Sequence, residues 1–476
     1  MASELPASSA IESRHIDYVP ESERHGKVWR QGPFWFLGNF QPFSVSIGLV
    51  GPLVGLNLFW SSVSAILGVL FGTLFMAAHA AQGPRLGLPQ MVQSRAQFGY
   101  VGVILPLAAT IFTFIGFLVV DCVILKVGLK SLFGWNEYLV VVVLMVLSVL
   151  MAIYGHDWIH RVFIWLFWLS MPFWLILIVG IVMHSAGGHG HDAGAFNVAG
   201  FFTMFALAAS YNITYAPYVS DYTRYLPSST SQRSIIWSVF IGASAPLVFL
   251  IPLGAWLGIY LGTTDTLQGL HNAGNHVVGG AGTLLIFFSV LALLATMGMG
   301  VYSGMLSVVT AVDSYRPVAS GPRVRLVVSL LVAGIALLFG IVLNSVTTAL
   351  YDSLTIMLYL LAPWTSVNLI DFYAIRHGRF SIVDFFTPNG IYGRWGTRGI
   401  IAYLVGIAVE LPFMSVPSYY TSPGFTWLKG VDISWMVGLL VAGLVYWFLG
   451  RGEDRTAEIA AVAHSEKAIL NGEVLR

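Results

Sequence analysis

Apolar residues run along this chain in long blocks, not in alternation with polar ones. A hydrocarbon layer of about 30 Å requires about 18 or more mostly apolar residues per helical crossing. Blocks of that length occupy residues 34–55, 58–80, 100–124, 138–155, 162–183, 197–218, 235–260, 282–306, 324–345, 349–370, 398–418 and 433–450. The pattern predicts an all-α integral membrane protein with twelve transmembrane helices. Almost no connection is long enough to fold alone. The expected organisation is therefore a tail over residues 1–31, one membrane domain over 32–450 and a second tail over 451–476. The closing "EDRTAEIAAVAHSEKAILNGEVLR" reads as a solvated helix.

Two blocks interrupt themselves. Lipid cannot satisfy freed backbone N–H and C=O groups, so a broken span must be buried in protein or line a cavity. The first span breaks at "GNFQPFS", residues 38–44, and the sixth at "SYNITYAP", residues 210–217, with Asn212, Thr214 and Pro217 in apolar company. These two spans correspond if the chain is built from two five-span repeats. Paired breaks of this kind point to a secondary transporter whose half-helix ends face a substrate and a coupling ion. Small residues also serve close helix packing, and it is the matching positions that weigh toward a site. The eighth span carries "LLATMGMGVYSGML", residues 293–306. Its glycines fit packing equally well, and the Thr296 hydroxyl either joins carbonyls around a small cation or bonds back to its own helix. On the third span Thr110, Thr113, Phe114 and Phe117 are either core or a platform for a flat ring.

Composition agrees: 57% of residues are hydrophobic and 9% charged, against about a quarter charged in soluble domains. The net charge of +1 gives no reason to expect a nucleic-acid partner, and the single Cys122 excludes an internal disulfide. The N-terminal region lacks the basic-then-apolar build of a signal peptide and reads as an uncleaved cytoplasmic tail. With both termini cytoplasmic, twenty of the 23 Lys and Arg residues fall inside, leaving Lys126, Lys130 and Lys429 outside. The positive-inside rule supports that orientation, and a plasma (inner) membrane location is expected. Acids within spans are functional candidates by default, here Asp121, Asp352 and Glu410. Asp121 and Asp352 also suit ordinary roles near the outer face, and Glu410 lies outside the two repeats. The outward tract with His184, His189, His191 and Asp192 has metal-binding composition without defined spacing, and no metal site is assigned. No zinc-protease helix, P-loop or nucleophile elbow is present. Neither an enzyme nor a cofactor is expected.

Three further stretches carry a resemblance. "HAAQGPRLGLPQMVQSRAQFG" (79–99), "SDYTRYLP" (220–227) and "APWTSVNLIDFYAIRHGRF" (362–380) resemble the purine-cytosine permease branch of the nucleobase-cation-symport-1 family, and the likeness runs from "IDYVPESERHG" to the last span. It implies twelve spans, a five-plus-five inverted-repeat (LeuT-like) core with two C-terminal helices, and import of a nucleobase or related heterocycle by proton or sodium symport. It places the substrate among the first, third, sixth and eighth spans, at Phe40, Gln41, Phe114, Phe117, Tyr211 and Asn212, with Asn39, Thr296 and Glu410 as ion-coupling candidates. The position of a cytosine-recognising glutamine falls near Phe114. Where many relatives have asparagines before a Tyr-Ser pair, this chain has Met297 and Gly300 before Tyr302 and Ser303. Both departures point away from cytosine toward a ring read by shape and stacking, and Ala295 beside Thr296 leaves a sodium-type hydroxyl pair incomplete. The conserved-looking loops place Arg95, Asp221 and Arg224 as inner-gate braces. The expected partners are a small heterocycle and the lipid bilayer, with no obligate protein. An amino-acid or vitamin-like carrier on the same fold is the alternative, followed by a channel, which would show a polar pore or charge ring, or a sensor.

Overall fold

The computed structural model describes residues 15–472 except 185, 189, 319, 320 and 453. His189 and the outer ends of both expected tails thus lie outside the described residues. Eight described helices are long and apolar enough to cross a membrane: Leu58–Leu86, Ile104–Phe133, Glu137–Tyr154, Arg161–Val182, Gln232–Tyr260, Ala281–Asp313, Pro322–Val342 and Val346–Ile375. The first expected span is split into Gln31–Asn39, Pro42–Gly48 and Val50–Leu53, and the sixth into Val198–Thr214 and Ala216–Thr223. The last two expected spans are shorter helices, Thr397–Glu410 and Ser434–Gly450. The eleventh span therefore stops well before residue 418. Pro412 and Pro417 cannot donate to a helical ladder, and the chain turns instead into a small antiparallel hairpin pairing Ser415–Val416 with Tyr420–Thr421.

The helices sort into two groups, each drawing two consecutive spans from each half. The first, second, sixth and seventh spans pack on one another, as do the third, fourth, eighth and ninth. The tenth lies against the third and sixth, and the eleventh and twelfth pair beside it. This is the LeuT-like plan. Within the first group backbones touch. A Cβ on Gly48 would sit 1.9 Å from the Ile251 carbonyl oxygen, and one on Gly254 would sit 1.9 Å from that of Val45. Such contacts gain dispersion where water exclusion gives no drive, the usual reason for small residues between membrane helices.

Neither tail is simply solvated. From His15 the N-terminal segment straps the basic face: Ile16 and Val19 are buried, the Val19 N–H donates to the Gly87 carbonyl at 2.9 Å, and Arg24 Nε donates to the Val19 carbonyl at 2.9 Å. The helix Thr456–Leu470 buries Glu458, Val462, Ser465 and Ala468. Its Ser465 hydroxyl accepts from the Ile382 N–H at 2.9 Å, and Glu458 bridges Arg376 and Arg455. One face of this helix is thus docked on the loop after the tenth span, where the sequence suggested free solvation. The four buried residues recur at spacings of four, three and three, one helical face of which only Val462 and Ala468 are apolar, and so narrow a stripe gives a weak periodic signal.

Candidate substrate site

Proline places both breaks. Pro42 has no N–H and pushes Gln41 out of helical conformation; Gln41 is extended (φ −157°, ψ 167°) and its side-chain carbonyl caps the next helix by accepting from the Phe43 N–H at 2.7 Å. In the sixth span Pro217 cannot donate to Ile213, and the Tyr218 N–H bonds the Tyr215 carbonyl at 3.0 Å. The helix therefore pauses at Tyr215, at the C-terminal edge of the predicted stretch.

Between the breaks lies a cluster of rings. Gln41 Nε2 donates to the Tyr211 hydroxyl at 2.8 Å. Phe43 and Tyr211 have centroids 5.2 Å apart, and Phe117 lies 5.4 Å from Phe43, 5.8 Å from Tyr211 and 5.0 Å from Tyr215. Phe114 meets Tyr218 edge-on at 4.4 Å, and Tyr215 stacks on Tyr218 at 4.7 Å. The structure thus brings together Gln41, Phe114, Phe117 and Tyr211, and adds Phe43, Tyr215 and Tyr218. The spacing Tyr211, Tyr215, Tyr218, Tyr222 is one helix face and was the available signal for the two tyrosines missed.

Asp121 belongs to the same place. It lies four residues after Phe117 and seven after Phe114, on their face of the third span. It is buried, and its Oδ1 has no hydrogen-bond partner among the described residues. A buried carboxyl with no pairing group is costly to charge.

Other expected residues are placed elsewhere. Asn39 Nδ2 donates to Asn212 Oδ1 at 3.0 Å and to the Ala243 carbonyl at 2.7 Å, while Asn212 Nδ2 donates to Thr73 Oγ1 at 2.6 Å. This chain of amides cross-braces the first, second, sixth and seventh spans, so Asn212 holds the bundle instead of facing the rings. Phe40 turns to the fifth span, stacking on Phe36 at 5.1 Å and meeting Trp174 at 4.8 Å. The Thr296 hydroxyl donates back to the Ala292 and Leu293 carbonyls at 2.9 and 3.0 Å. Glu410 ends the eleventh span, pressed against Gly438 of the twelfth, with neither side-chain oxygen hydrogen-bonded among the described residues. It is remote from both breaks. Among the described residues no three His, Cys, Asp or Glu side chains gather as metal ligands.

The rings are buried, and a further aromatic layer covers them on the basic side. On the basic side Phe34 packs on Tyr222 at 4.8 Å and on Phe163 at 5.2 Å, Trp35 meets Tyr222 edge-on at 5.9 Å, and Tyr222 lies 5.7 Å from Tyr302. Arg224 fastens this layer, donating to the His15 carbonyl at 2.8 Å and to the Tyr302 hydroxyl at 3.2 Å. Arg95 pairs with Asp313 at 3.0 Å, and Asp221 accepts from the Gln90 N–H at 3.1 Å. The three loop residues thus brace the basic side without reaching the rings. On the opposite side a narrow cleft between the sixth and tenth spans is lined by Thr203, Ser210, Tyr351 and Asp432. Burial pushes the Asp432 carboxyl above its ordinary value, although the Ser434 and Tyr359 hydroxyls bonded to it pull the other way.

Comparison with known proteins places this geometry. The sequence profile of a family described as permeases for cytosine/purines, uracil, thiamine and allantoin matches residues 18–438. The chain belongs to this permease family. YxlA of Bacillus subtilis (strain 168), named as a purine-cytosine permease, is 33% identical over 448 residues, covering 92% of this chain and 96% of YxlA. The purine-cytosine permease fcyB of Emericella nidulans is 25% identical, over 93% of this chain and 89% of its own. Among solved structures, the nucleobase-cation-symport-1 transporter Mhp1, closed with bromovinylhydantoin bound, matches with a TM-score of 0.72 at 19% identity, covering 96% of this chain and all of the other. Its inward-facing form scores 0.66 at 17% identity, over 96% and 98% of the two chains. The permease is thus an integral membrane transporter and not an enzyme.

Proposed function

We propose that this permease imports a flat nucleobase or closely related heterocycle by alternating access, with a proton as the coupling ion carried on Asp121. The observation that carries the reading is the ring cluster between the two breaks, in which Gln41 and Tyr211 supply polar contacts and Asp121 supplies an unpaired carboxyl. A planar solute would slide among Phe43, Phe117, Tyr211 and Tyr215, gaining stacking and exchanging the Gln41–Tyr211 bond for bonds to its own ring edge. Phe114 offers no hydrogen bond. Discrimination therefore rests on shape, favouring a purine, or a hydantoin- or allantoin-like ring, over cytosine. Relatives named for allantoin and vitamin B6 transport accord with a heterocycle class wider than one base.

Proton coupling is preferred to sodium on two contacts. The Thr296 hydroxyl is spent on its own helix, and the Asn39 carbonyl freed at the first break accepts from the Ser44 hydroxyl at 2.6 Å. Binding the ring and a proton together would shut the site most favourably, so neither alone drives the cycle. In the same proposal all twelve helical segments cross the plasma membrane and the basic face, with both termini, is cytoplasmic.

The test is uptake into proteoliposomes of labelled purines, pyrimidines, hydantoins, allantoin and pyridine-type vitamins, with separate proton and sodium gradients. Proton-driven accumulation of one bicyclic or hydantoin-like ring is expected. Uptake of none of the panel refutes the substrate class, and a response to sodium alone refutes the coupling.

A further inference from the structure

A second network lies outside the ring cluster and joins the C-terminal helix to the basic-side layer. Glu458 of that helix accepts from Arg376 Nε, and Arg376 and the Tyr446 hydroxyl both donate to Asp371 Oδ1. From Asp371 a file of side-chain amides runs inward. Gln97 Nε2 donates to Asp371 Oδ2, Asn368 Nδ2 to Gln97 Oε1 at 3.5 Å, Gln82 Nε2 to Asn368 Oδ1 at 2.7 Å, and Gln90 Nε2 to Gln82 Oε1 at 2.9 Å. Gln90 passes the contact on through its own backbone, whose N–H donates to Asp221 Oδ1 at 3.1 Å. Asp221 lies in the helix Ala216–Thr223, between Tyr218 of the ring cluster and Tyr222 of the covering layer. Gln82, Gln90, Gln97, Asn368, Asp371 and Asp221 are each no more than 3% exposed.

The file has one polarity. Every amide in it donates toward Asp371 and accepts, where it accepts, from the side away. A carboxylate only accepts, so Asp371 obliges Gln97 to present its NH2 group, and each amide behind must follow. Turning one alone would set donor against donor and acceptor against acceptor. The amides therefore have two self-consistent arrangements, all forward or all reversed, and the group at Asp371 selects between them. A two-state element of this kind lets one end of a network bias the other. At the far end Gln90 Oε1 has no hydrogen-bond partner among the described residues, as the acceptor that a forward file leaves over. Asp371 is held in turn where the tenth span ends in a wide turn, the Arg376 N–H reaching back five residues to the Asp371 carbonyl at 2.8 Å. Such π turns recur at functional sites.

We propose that the docked C-terminal helix controls the basic-side gate through this file of amides. With Glu458 on Arg376, Asp371 faces Gln97, the amides point forward and the Gln90 N–H holds Asp221, which keeps Tyr222 in the layer over the rings. When the helix leaves, Arg376 turns from Asp371, the file loses its fixed end and the Ala216–Thr223 helix is released. This control is independent of which heterocycle or ion is carried, and its test needs neither.

The full-length chain is prepared with Cys122→Ala and Ser303→Cys, which leaves one thiol, buried beside Tyr302 where Tyr302 meets Tyr222. Its labelling rate with a polar maleimide reads opening of the layer, and limited proteolysis reads release of the helix. Glu458→Gln should speed labelling about tenfold, within the usual range for coupled sites, and deleting residues 456–476 gives the same comparison with the helix gone. Gln82→Met, of nearly equal size, cuts the file while leaving every contact of the helix. It should also speed labelling, and adding Glu458→Gln to it should give no further gain. Asn368→Leu repeats the cut at another link, and the unfolding temperature of each variant identifies misfolding. Effects of Glu458→Gln and of either cut that multiply independently, or labelling left unchanged when the helix is released or deleted, overturn the proposal.

Discussion

Asp121→Asn isolates the coupling step from binding. The two side chains have the same shape, and at Asp121 Oδ1 there is no hydrogen-bond partner among the described residues to lose. Folding should change by no more than about 1 kcal/mol, the typical worth of one neutral hydrogen bond. Transport should change far more. One proton moving with each neutral solute across 100 mV, negative inside, supplies about 2.3 kcal/mol, which concentrates solute roughly 50-fold at about 1.4 kcal/mol per tenfold. Each pH unit of gradient adds about another tenfold. Because one carboxyl stands among the rings, the wild-type accumulation ratio should follow a single charge. Removing it should bring that ratio to about 1, while exchange of labelled for unlabelled solute continues because the aromatic platform is intact. The assay is paired: uptake into vesicles with an imposed potential, then counterflow without one. An Asp121→Asn protein that still concentrates solute 50-fold would refute the assignment of Asp121.

Other consequences are as direct. Tyr211→Phe removes the hydroxyl that bonds the solute's ring edge in the proposed complex, and a loss of about 1 kcal/mol should raise KM about fivefold with little change in maximal rate; unchanged KM in transport assays would remove this hydroxyl from the site. Asn212→Ala should instead lower the unfolding temperature and leave the ranking of competing substrates as it was, because Asn212 ties Asn39 to Thr73. Gly254→Ala places a methyl 1.9 Å from the Val45 carbonyl oxygen and should cost about 3 kcal/mol, read as lost detergent-resistant fold, whereas at Gly300 the nearest atom is Leu118 Cδ2 at 3.4 Å and alanine should be tolerated. For the C-terminal helix, burial raises the Glu458 carboxyl but Arg376 and Arg455 outweigh it and hold it below the ordinary 4.5. With the folded value lowered, docking is at full strength above pH 4.5 and is lost as pH falls through that lower value. Glu458→Gln should show at neutral pH the proteolytic release of the helix that wild type shows only in acid.

How far the site was legible depended on whether a residue's role is set by its own chain or by a neighbour. The breaks were readable because Pro42 and Pro217 act on their own backbone, and the third-span rings because Phe114 and Phe117 share a helix face with one another. Which polar group meets which is a tertiary matter. Asn212 and Tyr211 are adjacent, so their side chains point about 100° apart around the helix, and nothing in "SYNITYAP" says which faces the seventh span and which the rings. Thr296 had two local options, and the one nearest in sequence, its own helix, is taken. The docked tail shows the same limit: Glu458 acquires its partner Arg376 from a loop 82 residues away.

The kind of contact between elements also suggests which of them move. The first and seventh spans meet through backbone, at Gly48 with Ile251 and Gly254 with Val45, and the second and sixth do so at Gly72, whose Cβ would lie 2.2 Å from the Ala209 carbonyl oxygen. Such surfaces have no side chain to rearrange, so sliding them requires separating main chains. Across to the third and eighth spans the contacts are rings and long side chains: Phe43 on Phe117, Phe114 on Tyr218, Tyr222 on Tyr302. Rings can change rotamer and re-stack at a cost of order 1 kcal/mol each. The four-span bundle should therefore rock as a body, with the aromatic seam as the surface that opens. The substrate, itself a flat ring, is then the one ligand class that completes that seam when the protein's own rings part.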